Sequence, residues 1–414
     1  MANSPTNTPA NIPWLTIVGI GEDGFDGVAP AGKQLIENAK IILGGARHLE
    51  MLPGHIHADQ WQWKSPLRDT LTDLESYVGT SICVLATGDP MSYGIGVTLG
   101  RKFGTDALTV IPAIGAFSYS AAEMGWALQD ADCLTLHGRP LSILNLHLYP
   151  NAKLLILSAN GSTPTEVATL LCQNGFGESR ITALAHLGGS KQQSLTNLAK
   201  DWQDLKMADL NTLAIELVAG PDAKWHSRHA SLPDEAYLHD GQLTKREMRA
   251  LTLSNLQPYP GALLWDVGSG CGSIAIEWMR AGGQAIAIES NPVRADMIAK
   301  NAATLGVSGL KIIEGKAPDT LTDLIAPDAI FIGGGITNDG VSDACWKALK
   351  PQGVFAANAV TLEGEAMLIG LQAKWGGEMS RLQTSRLKPV GRLQGWKPFM
   401  PVTLYHIKKD TSGE

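Results

Sequence analysis

The stretch WDVGSGCGSIAIEW, residues 265–278, most constrains what this chain can fold into. It runs as an apolar strand, breaks at Gly268, Gly270 and Gly272, and restarts as an amphipathic helix. Glycines in such a turn accept positive φ and let a ligand approach the backbone closely. The helix that follows offers unpaired N–H groups and the positive end of its dipole to a carboxylate or phosphate. A strand that feeds a helix through glycines is the shape of a nucleotide-binding turn in an α/β sheet.

The chain has 414 residues, more than one ordinary core accommodates, so two domains are expected. WLTIVGIG (14–21), SICVLATGDP (81–90), KLLILSAN (153–160) and RITALAHLG (180–188) read as buried strands ending in turns. Helical patterns such as GKQLIENAKII and PTEVATLLCQNG separate them. That alternation predicts an α/β fold with mainly parallel sheet. The polar, Pro- and Gly-punctuated stretch 216–245 interrupts the rhythm, and the domain junction is placed there. A second α/β series follows: ALLWDVGSG, QAIAIES, KIIEGKA, DAIFIGGG, GVFAANAV and PVTLYHIKK.

In the second series four features converge. The loop Gly268, Ser269, Gly270, Cys271, Gly272 comes first. Glu289 ends the next strand, where an acid accepts both ribose hydroxyls of an adenosine. Ala317, in EGKAPDTL, borders the site expected for an adenine, and DAIFIGGG ends at the sheet edge where ligands of open α/β sheets bind. The dinucleotide fingerprint G-x-G-x-x-G/A fails at Ser273. Asp266, just before the glycines, would repel a pyrophosphate but suits the ammonium of a methionine moiety, directly or through water. The charge pattern therefore favours S-adenosyl-L-methionine (SAM) over NAD. A tight strand–helix turn with no ligand is the competing reading of the loop taken alone.

The first series carries four glycine-rich strand exits: VGIGEDG (18–24), LATGDPMSYGIG (85–96), VIPAIGAFSYSAAEMG (110–125) and LTLHGRP (134–140). Each alone reads as a turn. Together they outline a cleft whose ligand the spacing does not name.

Other classes are disfavoured. Hydrophobic residues make up 44% and charged residues 18%, a globular composition. The net charge of −7 argues against a nucleic-acid binder. Cys83, Cys133, Cys172, Cys271 and Cys345 form no C-x-x-C pair, so neither a disulfide framework nor a metal site is expected. His186, His226, His229 and His239 lack metal-ligand spacing and read as solvated linker histidines. No apolar run approaches the roughly 20 residues of a membrane span, and MANSPTNTPANIP lacks the basic and apolar regions of a secretory signal. A cytoplasmic protein is expected.

The paired order of motifs resembles one family, the bifunctional precorrin-6Y C(5,15)-methyltransferases (decarboxylating). VGIGEDG, GDPMSYGIG, PAIGAFSYSAA and HGRP resemble its tetrapyrrole-methylase half, and LTKREMRALTLSNLQP followed by WDVGSGCGSIAIEW resembles its decarboxylating half. The resemblance runs from about residue 13 to about 407. It implies an α/β protein of two domains: a tetrapyrrole-methylase fold over 13–219 and a Rossmann-like SAM methyltransferase fold over 230–414. The first would methylate carbon 5 of a precorrin; the second would methylate carbon 15 and release the ring C acetate, in cobalamin biosynthesis. One SAM per domain is implied, contacted in the second by Thr244, Gly268 to Gly272, Glu289 and Ala317, with Asp266 added from the charge pattern above. In the first the contacts fall on Gly88, Asp89, Pro90, Phe117 and Ser118. The commoner opening G-x-G-P-G-D is here Gly19-Ile20-Gly21-Glu22-Asp23-Gly24, and Ala113 stands where many relatives have Gly. A homo-oligomer is also implied, with no nucleic-acid or membrane partner.

A precorrin carries many carboxylates, so basic contacts are expected. Arg381, Arg386, Lys388, Arg392, Lys397, Lys408 and Lys409 lie in a stretch without one Asp or Glu, and Lys245, Arg246 and Arg249 form a second patch. Arg386, Arg392, Lys397 and Arg246 are taken as substrate contacts, against an ordinary solvated surface. Trp396 reads equally as a platform for the macrocycle or as core. Glu363 and Glu365 read as solvated loop acids rather than bases. Competing functions are a NAD(P)-dependent reductase, a nucleic-acid methyltransferase, and a SAM-binding scaffold with one half inactive.

Overall fold

The computed structural model describes residues 13–202, 206–228 and 231–410. The chain forms two compact units: residues up to Arg139 with Pro150–Ala223, and Pro140–Tyr149 with Lys224 onward. The ten residues 140–149 thus pack with the second unit: Asn145 Nδ2 donates to the Thr304 carbonyl at 3.0 Å, and the Ser142 and Ser308 hydroxyls are 2.6 Å apart. His229 lies outside the described residues.

Unit 1 holds two five-stranded sheets. The first, β1 (Leu15–Ile20), β2 (Ile41–Gly44), β3 (Asp59–Gln62), β4 (Ile82–Thr87) and β5 (Leu108–Ile111), is parallel throughout, in the order β3-β2-β4-β1-β5. Helices cover both faces of such a sheet, so its strands are apolar on both sides. Along β1, Leu15 and Ile17 enter one core cluster and Val18 and Ile20 the other.

The second sheet comprises β6 (Asp132–Thr135), β7 (Lys153–Leu157), β8 (Arg180–Ala185), β9 (Gln193–Leu198) and β10 (Asn211–Glu216) in the order β6-β7-β10-β8-β9. Only β6 and β7 pair in parallel. The expectation of mainly parallel sheet fails here because β8 and β9 join through a short loop as an antiparallel pair, and β10 inserts antiparallel to both β7 and β8.

Unit 2 is a seven-stranded sheet, β13-β12-β11-β14-β15-β19-β16, built from β11 (Leu263–Val267), β12 (Gln284–Glu289), β13 (Lys311–Glu314), β14 (Ala329–Ile332), β15 (Val354–Ala359), β16 (Glu378–Leu382) and β19 (Val402–Lys408). The first five strands are parallel; β19 runs antiparallel to both β15 and β16. Period-two alternation puts Leu264, Ala285 and Ala287 on one face and Trp265, Val267, Ile286 and Ile288 on the other. The strand order reverses between β11 and β14, the switch point where open α/β sheets bind ligands. A separate ribbon, β17 (Ser385–Val390) and β18 (Leu393–Pro398), precedes β19.

Candidate active sites

In unit 2 a cavity of about 850 Å³ opens at the carboxyl ends of β11, β12, β13 and β14. Its floor is the glycine loop. The Gly268 and Ser269 amides donate to the Ile288 carbonyl at 3.0 and 3.1 Å, pinning the loop to β12. Gly268 has φ +67°, and a Cβ there would lie 2.5 Å from the Gly334 carbonyl oxygen, so the loop Gly333–Gly335 packs directly against it. Gly270 has φ +62°, but a Cβ there would meet only the Gln242 carbonyl at 3.6 Å. That open side belongs to the cavity wall, as do Ser269 and Cys271. Gly272 is not in the wall: it caps the helix Ser273–Arg280 and packs on Ile298.

Glu289 is buried and lines the cavity. Its Oε2 accepts the Gly270 amide at 2.8 Å and its Oε1 the Asn291 amide at 2.9 Å. Each oxygen keeps a lone pair for a ligand hydroxyl. Thr244 and Ala317 also line the wall. Asp266 does not. It sits 1% exposed beneath the loop, with Oδ2 accepting the Ser269 hydroxyl at 2.7 Å and the Ala275 amide at 3.1 Å. Burial pushes its carboxyl up to about 6, against the pull of those two hydrogen bonds, and Oδ1 has no partner among the described residues. Asp266 thus holds the loop from beneath, where strand alternation turns its side chain.

Unit 1 has a smaller cavity, about 380 Å³, lined by Gly88, Asp89 and Phe117. Gly88 has φ +60°, and Asp89 Oδ1 accepts the Met91 amide at 2.8 Å, closing a turn. Pro90 is buried behind that turn and accepts the Gly96 amide at 3.0 Å. Ser118 is exposed on the helix Ala116–Met124, outside the wall. Tyr93 stacks edge-on against Phe117 with ring centroids 5.9 Å apart.

The same cavity holds a polar cluster from four elements. Glu22, just after β1, binds the Arg47 guanidinium through Oε1 and His186 Nδ1 through Oε2 at 2.9 Å. Arg47 Nη2 donates to Thr87 Oγ1 at 3.0 Å and to His48 Nε2 at 3.2 Å. Burial, reinforced by the Arg47 charge, pushes His48 down to about 4. His186 is therefore no solvated linker histidine. Nothing local in the sequence signals the cluster, since its residues come from opposite ends of the unit.

The description "Tetrapyrrole (Corrin/Porphyrin) Methylases" matches residues 14–202, and "Precorrin methyltransferase domain" matches 235–409. A Sinorhizobium precorrin-6Y C(5,15)-methyltransferase [decarboxylating] is 45% identical over 99% of this chain and 100% of its own. The chain belongs to the precorrin-6Y C(5,15)-methyltransferase (decarboxylating) family. A Mycobacterium tuberculosis precorrin-6Y C(5,15)-methyltransferase is 37% identical, covering 95% of this chain and 100% of its own. A Salmonella typhimurium cobalt-precorrin-7 C(5)-methyltransferase is 31% identical over 39% of this chain and 80% of its own.

The basic stretch is less free than its composition suggests. Arg386 is engaged by Asp234 at 2.7 Å and by Glu247 at 2.7 Å, outside the cavity wall. Arg381 pairs with Glu365, and Lys409 donates to the Trp346 and Leu349 carbonyls at 2.8 and 2.9 Å. Arg246 donates through Nε to the Ser231 carbonyl at 3.1 Å, away from the cavity, and Arg249 is wholly buried. Arg392 and Lys397 are exposed on the β17–β18 ribbon. Trp396, on the same ribbon, is 74% exposed and so is not core. Glu363 and Glu365 lie in the first turn of the helix Leu362–Trp375 rather than in a loop. The cations that do line the cavity are Lys245, Lys316 and Arg294; Arg294 is held by Asp240 at 2.8 Å. Lys316 was visible in EGKAPDTL but carried no signal beyond its charge.

Proposed function

We propose that this enzyme transfers methyl groups from SAM to carbons 5 and 15 of a precorrin-6 type corrin precursor and releases the ring C acetate as CO₂, giving precorrin-8x in cobalamin biosynthesis. The observation that carries this reading is the pair of glycine cradles, each at the carboxyl edge of parallel strands in its own unit and each opening on its own cavity. Unit 1 is assigned carbon 5; unit 2 is assigned carbon 15 and the decarboxylation.

One SAM per unit is part of the proposal. In unit 2, the Gly268–Cys271 backbone and Glu289 suit an adenosine, with Thr244 and Ala317 bordering it. In unit 1, Gly88, Asp89 and Phe117 line the corresponding cavity. When bound, SAM supplies an electrophilic methyl group. The chain's part is to hold the macrocycle carbon in line with that methyl, and positioning of this kind lowers a barrier by on the order of 7–11 kcal/mol in favourable cases. No nucleophilic side chain is required. Met248, Phe331, Phe399 and Met400 give the unit 2 cavity apolar walls, where a carboxylate short of hydration is easier to expel as CO₂. Lys245 and Lys316, with exposed Arg392 and Lys397, are read as partners for the remaining carboxylates. The net charge of −7 supports a small-molecule substrate rather than nucleic acid. A cytoplasmic homo-oligomer is part of the same reading; among the described residues no helix is long and apolar enough to cross a membrane.

The test is mass spectrometry of metal-free precorrin-6B incubated with SAM and the full chain. Gain of two methyl groups and loss of one CO₂ is expected. Glu289→Ala and Asp89→Ala should each stall a different methylation. An unchanged substrate mass overturns the reading.

A further inference from the structure

Methyl transfer from a sulfonium to a ring carbon has a proton to account for. The carbon supplies the electron pair of the new C–C bond, the S–CH₃ bond breaks, and the donor leaves as a neutral thioether. The macrocycle has then gained CH₃⁺, and a product of unchanged charge requires one proton to leave. Resting on the assignment of carbon 5 to unit 1, we propose that His186 accepts that proton at Nε2, held for the task by Glu22 and Arg47.

The geometry is that of a histidine–carboxylate dyad. A carboxylate only accepts hydrogen bonds, so at 2.9 Å His186 Nδ1 donates to Glu22 Oε2. This fixes the tautomer and leaves the Nε2 lone pair free, with no partner among the described residues. When Nε2 takes a proton, the imidazolium stays paired with Glu22. Arg47 clamps the other Glu22 oxygen and reaches Thr87, the residue before Gly88 and Asp89. The dyad and the proposed SAM loop therefore line one cavity.

Two further observations bear on His186. Its φ is +52°, a left-handed conformation uncommon for a non-glycine residue, though histidine adopts it more readily than most, and one that Tyr93 of the same cavity shares. Strain of this kind persists where the surroundings impose it, and clusters at working sites. His48, the other histidine of the cluster, is excluded as base: an arginine donates to its Nε2, and burial beside that charge keeps it neutral.

The experiment uses the full chain with His186→Asn, since asparagine tolerates the left-handed backbone, and with Glu22→Gln. Methylation at carbon 5 is followed by ¹³C NMR with methyl-labelled SAM, and SAM affinity by calorimetry. For His186→Asn, kcat for carbon 5 should fall at least about 100-fold, the usual range for a lost general base. SAM affinity should not change, and added imidazole should restore part of the rate. Glu22→Gln should lower kcat less, again without weakening SAM. Wild-type kcat in His186→Asn, or a loss confined to a higher KM for the macrocycle, overturns the assignment and makes His186 a binding contact. If the wild-type chain itself methylates no precorrin, the functional reading falls and takes this inference with it, whereas failure in His186→Asn alone leaves that reading standing.

Discussion

Arg386 and Asp234 stand 152 positions apart in the chain, and the Arg386 Nη1 donates to Asp234 Oδ2 at 2.7 Å. The same guanidinium meets Glu247 through Nε and Nη2, at 3.2 and 2.7 Å, and lies over the Phe399 ring. Both acids belong to the segment that leads into the glycine loop, and Arg386 is the second residue of β17 in the ribbon. These contacts tie the ribbon to that segment. Arg386→Ala should therefore lower stability rather than act as a lost substrate contact. Partly exposed pairs contribute up to about 1 kcal/mol each, so a fall in Tm of about 2–6 °C is expected by calorimetry. SAM affinity of unit 2 should stay within about threefold of wild type.

A deeper pair lies below. Arg249 is fully buried and donates through Nε to Glu277 at 2.6 Å, while Glu277 also accepts the Tyr237 hydroxyl at 2.8 Å and the Leu232 amide at 3.0 Å. Burial, with the nearby Glu277 charge, raises Tyr237 well above the ordinary tyrosine range. Removing one partner and leaving a buried charge alone costs about 3–5 kcal/mol; Arg249 keeps a second, longer contact with Asp234 at 3.4 Å, so the lower end of that range applies. Glu277→Ala should destabilise unit 2 by that order in denaturant unfolding. SAM binding should weaken with it, because Arg249 also holds the Thr244 carbonyl at 2.5 Å.

The three glycines of the loop should fail in different ways. Alanine at Gly270 has room, since its nearest neighbour would be 3.6 Å away, but it enters the cavity and keeps a positive φ. The left-handed backbone alone costs about 1–2 kcal/mol. A modest fall in Tm and at least about a tenfold loss of SAM affinity are expected. Alanine at Gly268 would meet the Gly334 carbonyl at 2.5 Å, so both loops must move. Its larger fall in Tm, measured beside Gly270→Ala, distinguishes the two. Gly272→Ala should act through packing on Ile298 and leave the cavity wall in place.

What could be read in advance divides along the same line. The glycine loop, Glu289 and Ala317 are local features: a strand, a turn, a strand end. Periodicity and spacing place them, and they do converge on one cavity. Charge partnerships are not local. A run of seven cations without an acid reads as a free basic surface, yet Arg386 and Arg381 find Asp234, Glu247 and Glu365 from other segments. His186 and Glu22 are 164 positions apart, so no spacing could pair them. The second sheet of unit 1 defeats the parallel expectation for a similar reason: an apolar run shows that β10 is buried, not which neighbours it enters between. Asp266 shows a subtler limit. Its position before the glycines is legible, but the direction of its side chain depends on strand register.

That direction gives Asp266 a measurable effect on stability. In the unfolded chain its carboxyl titrates near the ordinary aspartate value of about 3.9. In the fold, burial raises it to about 6. Between those values the folded state keeps a proton that the unfolded state has lost. The contribution is therefore fully present below about pH 4 and is lost as pH rises through 6, an effect of up to about 3 kcal/mol at neutral pH. Asp266→Asn removes the titration while its amide oxygen can still accept from Ser269 and Ala275. Hydrogen exchange of β11 peptides, corrected for the intrinsic rate, should show wild-type protection falling between pH 4.5 and 7. The fall should be smaller in Asp266→Asn. Equal slopes in the two proteins would mean that the buried carboxyl stays ionised across this range, and that the Ser269 and Ala275 hydrogen bonds outweigh its burial.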